Sequence, residues 1–230
     1  MIKEIRFALH SSISIPQERA SAFFKTGPGD YAEHDQFMGV TVPNLRKISK
    51  RFSDLPLACI KDLLSSKINE ERFLALLILV DQYQKSTEQG RVDLYQFYIN
   101  NLHHINNWNL VDTSAHLIVG AHLWDKDRNI LLSLSESNNL WERRVSIVST
   151  WAFIKKEDLV WTFQIARLLL NDNHDLIHKA VGWMLREAGK KDEGELVGFL
   201  RYHSGVMPRT MLRYAIERLP QDQRKFYLGC

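Results

Sequence analysis

The chain is poor in the residues that build disulfide frameworks, metal cages and tight β-turns. It holds two cysteines in 230 residues, Cys59 and Cys230, too few for a disulfide scaffold and wrongly spaced for a thiolate metal site. The adjacent pair His103-His104 has no third ligand at ligand spacing, so neither a metal nor a cofactor is expected. Asn-Gly and Asp-Gly dipeptides are absent, and no segment sustains strict alternation, which removes the usual hairpin signals. The longest apolar run, Phe73 to Val80, has eight residues, far below the roughly 20 that a membrane helix needs. The first six residues, Met1-Ile2-Lys3-Glu4-Ile5-Arg6, include an acid and no apolar core, so no secretory signal is read there. The expectation is a reduced, cytoplasmic protein without a membrane partner.

An excess of one charge is also nearly missing. The net charge is +3, which by itself identifies no polyanionic partner. Its distribution says more. From residue 140 onward there are 15 Lys and Arg against 11 Asp and Glu, leaving 15 against 16 before it. The doublets Arg143-Arg144, Lys155-Lys156 and Lys190-Lys191 lie in the basic part, although such doublets are commonly solvated helix faces.

What is present is helical periodicity. Apolar residues recur at three- and four-residue spacing over 43–52, 56–65, 69–84, 91–101, 107–123, 139–154, 158–170, 175–188, 193–203 and 209–218, the pattern of amphipathic helices. Pro16, Pro43, Pro56, Pro208 and Pro220 fall near the ends of helical segments, where proline is tolerated. Gly27-Pro28-Gly29 and Gly39 mark a loop after an N-terminal helix. The expected class is all-α.

Asn69, Asn106, Asn139 and Asn173 fall near helix starts, where asparagine caps well. They are separated by 37, 33 and 34 residues. A period in the thirties built from helix pairs points to a curved α-solenoid occupying 1–230 as one domain. Equivalent positions in successive repeats then line one concave surface. Asp112, Arg144 and Trp183 are 32 and 39 residues apart, near one repeat each, and are expected to face one groove.

The residues with chemical interest lie in the middle of the chain. All six tryptophans fall between Trp108 and Trp183. Trp124, Trp151 and Trp161 fit apolar faces or ends of their helices and read as packing residues. Trp108 and Asp112 are four residues apart in Asn107-Trp108-Asn109-Leu110-Val111-Asp112. On a helix they project from one face, an aromatic plate beside a carboxylate, an arrangement that suits a cation. Trp183 lies one turn after Lys179 and near Arg186, with Gly182 beside it leaving room for a close backbone approach. Arg144 begins an apolar helix. It reads equally as a solvated first-turn residue, a partner for a nearby carboxylate, or a clamp for phosphate.

Several segments together carry a family resemblance. They are Phe37-Met38-Gly39-Val40-Thr41-Val42-Pro43-Asn44-Leu45-Arg46, the Asn107–Asp112 segment, Trp141-Glu142-Arg143-Arg144-Val145, the stretch from Lys179 to Glu187, and Met207-Pro208-Arg209-Thr210-Met211-Leu212-Arg213-Tyr214-Ala215. In this order, over roughly residues 20–218, they resemble the AlkD-type DNA alkylation repair family. That resemblance implies HEAT-like helix pairs and excision of N3- and N7-alkylated purines from duplex DNA. It implies Asp112 as the catalytic carboxylate, Trp108 and Trp183 as aromatic walls near the deoxyribose, and Arg144 as an orienting cation. Arg186 matches a position expected at a DNA phosphate, and Lys179, Arg143, Arg209 and Arg213 are assigned to the same DNA-binding set. The partner is then alkylated duplex DNA, and the protein is expected to be a monomer, nucleoid-associated when bound. The family's contacts from the N-terminal helices, around the loop with Gly27-Pro28-Gly29 and Glu33-His34-Asp35, are not carried over.

The chemistry is coherent with that reading. An N3- or N7-alkylated purine is already cationic and leaves readily, and C–N cleavage builds oxocarbenium character on the sugar. A fixed carboxylate stabilises that charge and orients water, while indole faces favour a developing cation. No lysine nucleophile is needed, so a monofunctional glycosylase leaving an abasic site is expected. Two alternatives remain open: an inactive DNA-binding protein of the same fold recognising damaged or structured DNA, and a protein-interaction scaffold.

Overall fold

The computed structural model of the chain describes residues 1–229; Cys230 lies outside them. Every regular element among the described residues is helical, as the periodicity predicts, and the only β features are the isolated bridges Ile13–Val40 and Gln36–Ile68. No described helix is long and apolar enough to cross a membrane. The chain divides into two compact units, Met1–Ser114 and the part from Ala115 onward.

The first unit carries α1 (Ile2–His10), α2 (Gln17–Ser21), α3 (Val42–Arg51), α4 (Leu57–Leu64), α5 (Asn69–Lys85), α6 (Glu88–Asn100), a 3-10 turn (Leu102–His104) and α7 (Trp108–Ala115). Pro16 and Pro56 immediately precede α2 and α4, and Pro43 is the second residue of α3. Proline fits there because the first-turn N–H groups have no intrahelical acceptor. The central helix is α5, which packs against α3, α4 and α6. Its apolar run from Phe73 to Val80 is buried almost throughout, as expected of a helix that is hydrophobic all round.

The first turn of α5 buries four polar residues, and the structure partners each one. Glu70 accepts from the backbone N–H groups of Met38 (3.0 Å) and Gly39 (2.9 Å). Glu71 takes a two-pronged bond from Arg6, at 3.0 and 3.1 Å. Arg72 pairs with Asp35, and Asn69 donates to the same carboxylate at 2.7 Å. Carboxylates at a helix N-terminus also gain from the helix dipole. The loop over residues 22–41 is thereby fastened to α5. Gly39 has φ +90, and a Cβ there would sit 2.1 Å from the carbonyl oxygen of Ile15, so only glycine fits this crossing.

The second unit opens with a π-helical turn (His116–Gly120), followed by α8 (Asn129–Ser135), α9 (Leu140–Ser149), α10 (Trp151–Ile154) and α11 (Val160–Leu168). It closes with α12 (Asp175–Gly189), α13 (Glu193–His203), α14 (Arg209–Ala215) and α15 (Gln221–Leu228). Here α12 is central, packing on α9, α11, α13 and α14. Periodicity alone misses α2, α8 and α15: α8 has seven residues with one short apolar cluster, and α2 and α15 bury none of their residues. The helix expected over 107–123 is interrupted by the π turn. The Ser114 hydroxyl bonds back to the carbonyl of Leu110 at 2.7 Å, a competition that bends helices.

The asparagine caps hold in part. Asn139 caps α9, accepting from the N–H of Trp141 at 2.9 Å. The cap of α12 is His174 rather than Asn173, and Asn69 is already inside α5. Beside α7 it is Asn107, not Asn106, whose Oδ1 accepts from the N–H of Trp108 at 2.7 Å.

Gly182, in the middle of α12, does allow a close approach, and what approaches is α14. A Cβ at 182 would lie 2.5 Å from both the Met211 carbonyl oxygen and the Tyr214 Cβ. Gly182→Ala is therefore expected to destabilise the protein by about 1–3 kcal/mol through overpacking, read from the urea midpoint. An unchanged midpoint would show that α14 yields without cost.

Candidate functional site

In the first unit, α7 places Trp108 and Asp112 one turn apart, both half-buried and both on the wall of a cavity of about 570 Å³. The rest of the wall is largely apolar and aromatic, including Phe23, Phe24, Phe37 and Phe73. Trp108 is held rather than loose. Its ring stacks on Phe24 at 5.1 Å between centroids, and Phe24 stacks on Phe37 at 4.7 Å. The indole N–H donates to the Tyr31 hydroxyl at 3.2 Å. Two χ angles of a large side chain are thus fixed by two partners from the loop over residues 22–41, Phe24 and Tyr31, with Phe37 stacked behind Phe24.

The backbone under Trp108 is fixed by a buried polar network. Asn107 Nδ2 donates to Asp35 at 2.6 Å while its Oδ1 accepts from the Trp108 N–H. Asn109 Nδ2 donates to Asn69 Oδ1 at 2.7 Å, and Asn69 donates to Asp35. His34 Nε2 lies 3.1 Å from the same Asp35 carboxylate. The start of α7 and the start of α5 therefore share one anchor, a buried hydrogen-bonded network that ties Trp108 to α5 through Asp35. Behind Asp112, the Tyr98 hydroxyl and the Ser114 hydroxyl are 2.8 Å apart in the core. Burial raises the Tyr98 phenol far above its ordinary range. The Ser114 bond pulls the other way, and the Asp112 carboxylate adds a smaller upward push.

Tyr31, Asp35 and Phe24, and the bond from Asn69 to Asp35, escape sequence reading because these contacts span 34 residues of chain or more, whereas Asn107 lies beside Trp108 in the segment already singled out. The one available signal is compositional: Phe23-Phe24 and Phe37 are aromatics in a loop region, where burial needs a partner.

The second unit carries the other residues singled out from sequence. Arg144 is buried on α9 and donates through Nη1 to the carbonyl of Leu176 at the start of α12. Trp183 is half-buried on α12 and meets Trp151 edge-on at 5.1 Å. Trp151 also lies 4.4 Å from His116 and under the ammonium of Lys155 at 4.2 Å. Packing is thus one role of Trp151, and support for Trp183 is another.

The basic residues of the second unit are mostly engaged within it. Arg143 Nε donates to Asp172 at 2.6 Å and its Nη1 to the Ser137 carbonyl at 2.9 Å. Arg186 lies between Glu217 and Glu187. Lys179 pairs with Asp175 one turn away at 2.7 Å. Arg209 is exposed and donates to the carbonyl of Leu228 at 2.7 Å, and Arg213 is exposed on α14. Of this set, Arg209, Arg213 and Lys179 present the most solvent-accessible charge.

Three comparisons bear on identity. A solved structure titled as a predicted DNA alkylation repair enzyme from Enterococcus faecalis matches with a TM-score of 0.69 at 16% identity. The match covers 89% of this chain and 95% of that one. At that identity it shows the shared all-helical fold alone. No curated protein matches the chain. The family model for DNA alkylation repair enzymes matches residues 14–219, nearly the whole length of both helical units. The chain belongs to the DNA alkylation repair enzyme family.

Proposed function

We propose that the protein is a monofunctional DNA glycosylase that hydrolyses the N-glycosidic bond of cationic N3- and N7-alkylated purines, such as 3-methyladenine and 7-methylguanine, in duplex DNA. The observation that carries this is the pairing of Trp108 and Asp112 on one wall of an aromatic cavity, with Trp108 locked by Phe24, Tyr31 and Asn107. One face of the indole is covered by Phe24, so a cationic nucleoside is met by the other. Asp112 then stands where positive charge develops at C1′, stabilising it and orienting the attacking water. The alkylated base departs neutral, so no strong general acid is required.

On the second unit the same reading assigns Trp183 to an aromatic contact with the lesion nucleoside and Arg144 to an orienting role. Arg186, Lys179, Arg143, Arg209 and Arg213 are assigned to the phosphate backbone, which supplies affinity without sequence information. Arg186 tests this assignment best, because its carboxylate partners offer a competing structural role. If it exchanges them for a phosphate, Arg186→Ala lowers the salt slope of DNA binding by about 1 and weakens all sequences alike. An unchanged slope with reduced stability assigns Arg186 to the fold.

The function is tested by incubating the protein with methylated duplex DNA and measuring free 3-methyladenine and 7-methylguanine. Release supports the glycosylase. Binding without release points to a DNA-binding protein of this fold, and neither points to a scaffold.

A further inference from the structure

A second cavity of the first unit is distinct from the one at Trp108. It measures about 370 Å³ and lies among the segments 33–36, 64–68 and 102–106, with Lys67, Arg72, His104 and Asn106 on its wall. The other lining residues are His34, Gln36, Ser65 and Ser66, so no carboxylate lines it. Two polar atoms of its wall are buried without a hydrogen-bond partner, Arg72 Nε and Asn106 Oδ1. That is costly for groups of this kind.

Arg72 is the telling residue. Its side chain is 2% exposed, its Nη1 donates to the Ser66 carbonyl at 2.7 Å, and its Nη2 is engaged by Asp35. The third donor, Nε, is buried without a partner in a residue that lines the cavity. Around it stand the exposed ammonium of Lys67 and the ring of His104, whose Nε2 is 3.4 Å from the Ser65 hydroxyl. Burial is the main cause of a lowered His104 pKa, and the positive charges of His103, Arg72 and Lys61 push it the same way. Donors of this kind, with a point charge at the mouth and no acid on the wall, match an oxyanion.

We propose that this cavity binds a phosphate group, either a backbone diester of DNA or the monoester of a small ligand. Lys67 supplies the charge, and Arg72 Nε and the His104 ring N–H donate to the oxygens. Asn106 joins by turning its amide so that the NH₂ takes the place of the unpartnered Oδ1. The DNA form of the proposal rests on the function proposed above; the small-ligand form does not.

Lys67→Ala and His104→Ala are the variants, since both residues sit at the mouth and leave the Asp35–Arg72 pair intact. Two readouts are taken on the full chain. The first is the salt dependence of duplex DNA binding, whose slope is expected to fall by about 1 in Lys67→Ala. The second is titration with inorganic phosphate, against chloride at matched ionic strength, followed by the ring NMR signals of His34 and His104. A lowered slope establishes a DNA phosphate as the occupant. An unchanged slope with a saturable phosphate-dependent shift, lost in Lys67→Ala, establishes a small phosphorylated ligand. An unchanged slope without any such shift overturns the proposal. Base release by the same wild-type preparation is scored separately, so a failure of the glycosylase reading is not confused with a failure of this one.

Discussion

Asp112→Asn lowers the single-turnover rate of alkylpurine release by about 10²–10³-fold, the range seen when one preorganised electrostatic group is removed from a polar transition state. The substitution preserves shape, removes the charge and exchanges one acceptor oxygen for an NH₂ donor. Trp108 stacks on Phe24 and bonds to the Tyr31 hydroxyl, contacts that the substitution leaves in place, so the cavity is expected to persist and duplex affinity to change by less than about threefold, roughly 0.6 kcal/mol. The effect is therefore confined to the chemical step. Single-turnover release and equilibrium DNA binding, measured on the same preparation, separate the two. A rate within threefold of wild type would remove Asp112 from the reaction.

Asp35→Ala is expected to be the most destabilising single change in the first unit. Its carboxylate is fully buried and takes Arg72, Asn69 and Asn107 at once. Removing it leaves the Arg72 guanidinium buried and uncompensated, a situation that costs about 3–5 kcal/mol. With a urea m-value of about 2 kcal/mol/M for a domain of this size, the midpoint falls by roughly 1.5–2.5 M. Asn107 also loses its fixed orientation, and with it the cap on the Trp108 N–H. Asp35→Ala should accordingly slow base release even at temperatures where it remains folded. A midpoint shift below about 0.5 M would mean that water or His34 replaces the carboxylate at little cost.

The contrast between these residues shows what the sequence discloses. Trp108 and Asp112 are legible because they are four residues apart, and the helix that makes them neighbours is encoded in the same stretch. The helices of the core are legible for the same reason: Phe73 to Val80 in α5 and the amphipathic pattern of α12 are local signals. Asp35 is not, since its partners lie 34, 37 and 72 residues away. Nothing near Glu33-His34-Asp35 marks it as an anchor. Caps fail similarly. Asn106 and Asn107 are indistinguishable by residue type, and only the turn decides which side chain meets the Trp108 N–H. Basic residues are the least legible. Arg143 and Arg186 read as free cations in the sequence, yet each meets a carboxylate 29 or 31 residues further on. Charge counting cannot anticipate pairing set by tertiary packing.

The chemistry is tested most directly by its product. A duplex carrying a single 7-methylguanine is incubated with excess wild-type protein, and the strand is then examined before and after mild alkali. Free 7-methylguanine should accumulate in step with an abasic site in an otherwise intact strand that alkali cleaves. A duplex that is bound but retains its methylated base, or a strand cut without alkali, would contradict a monofunctional glycosylase.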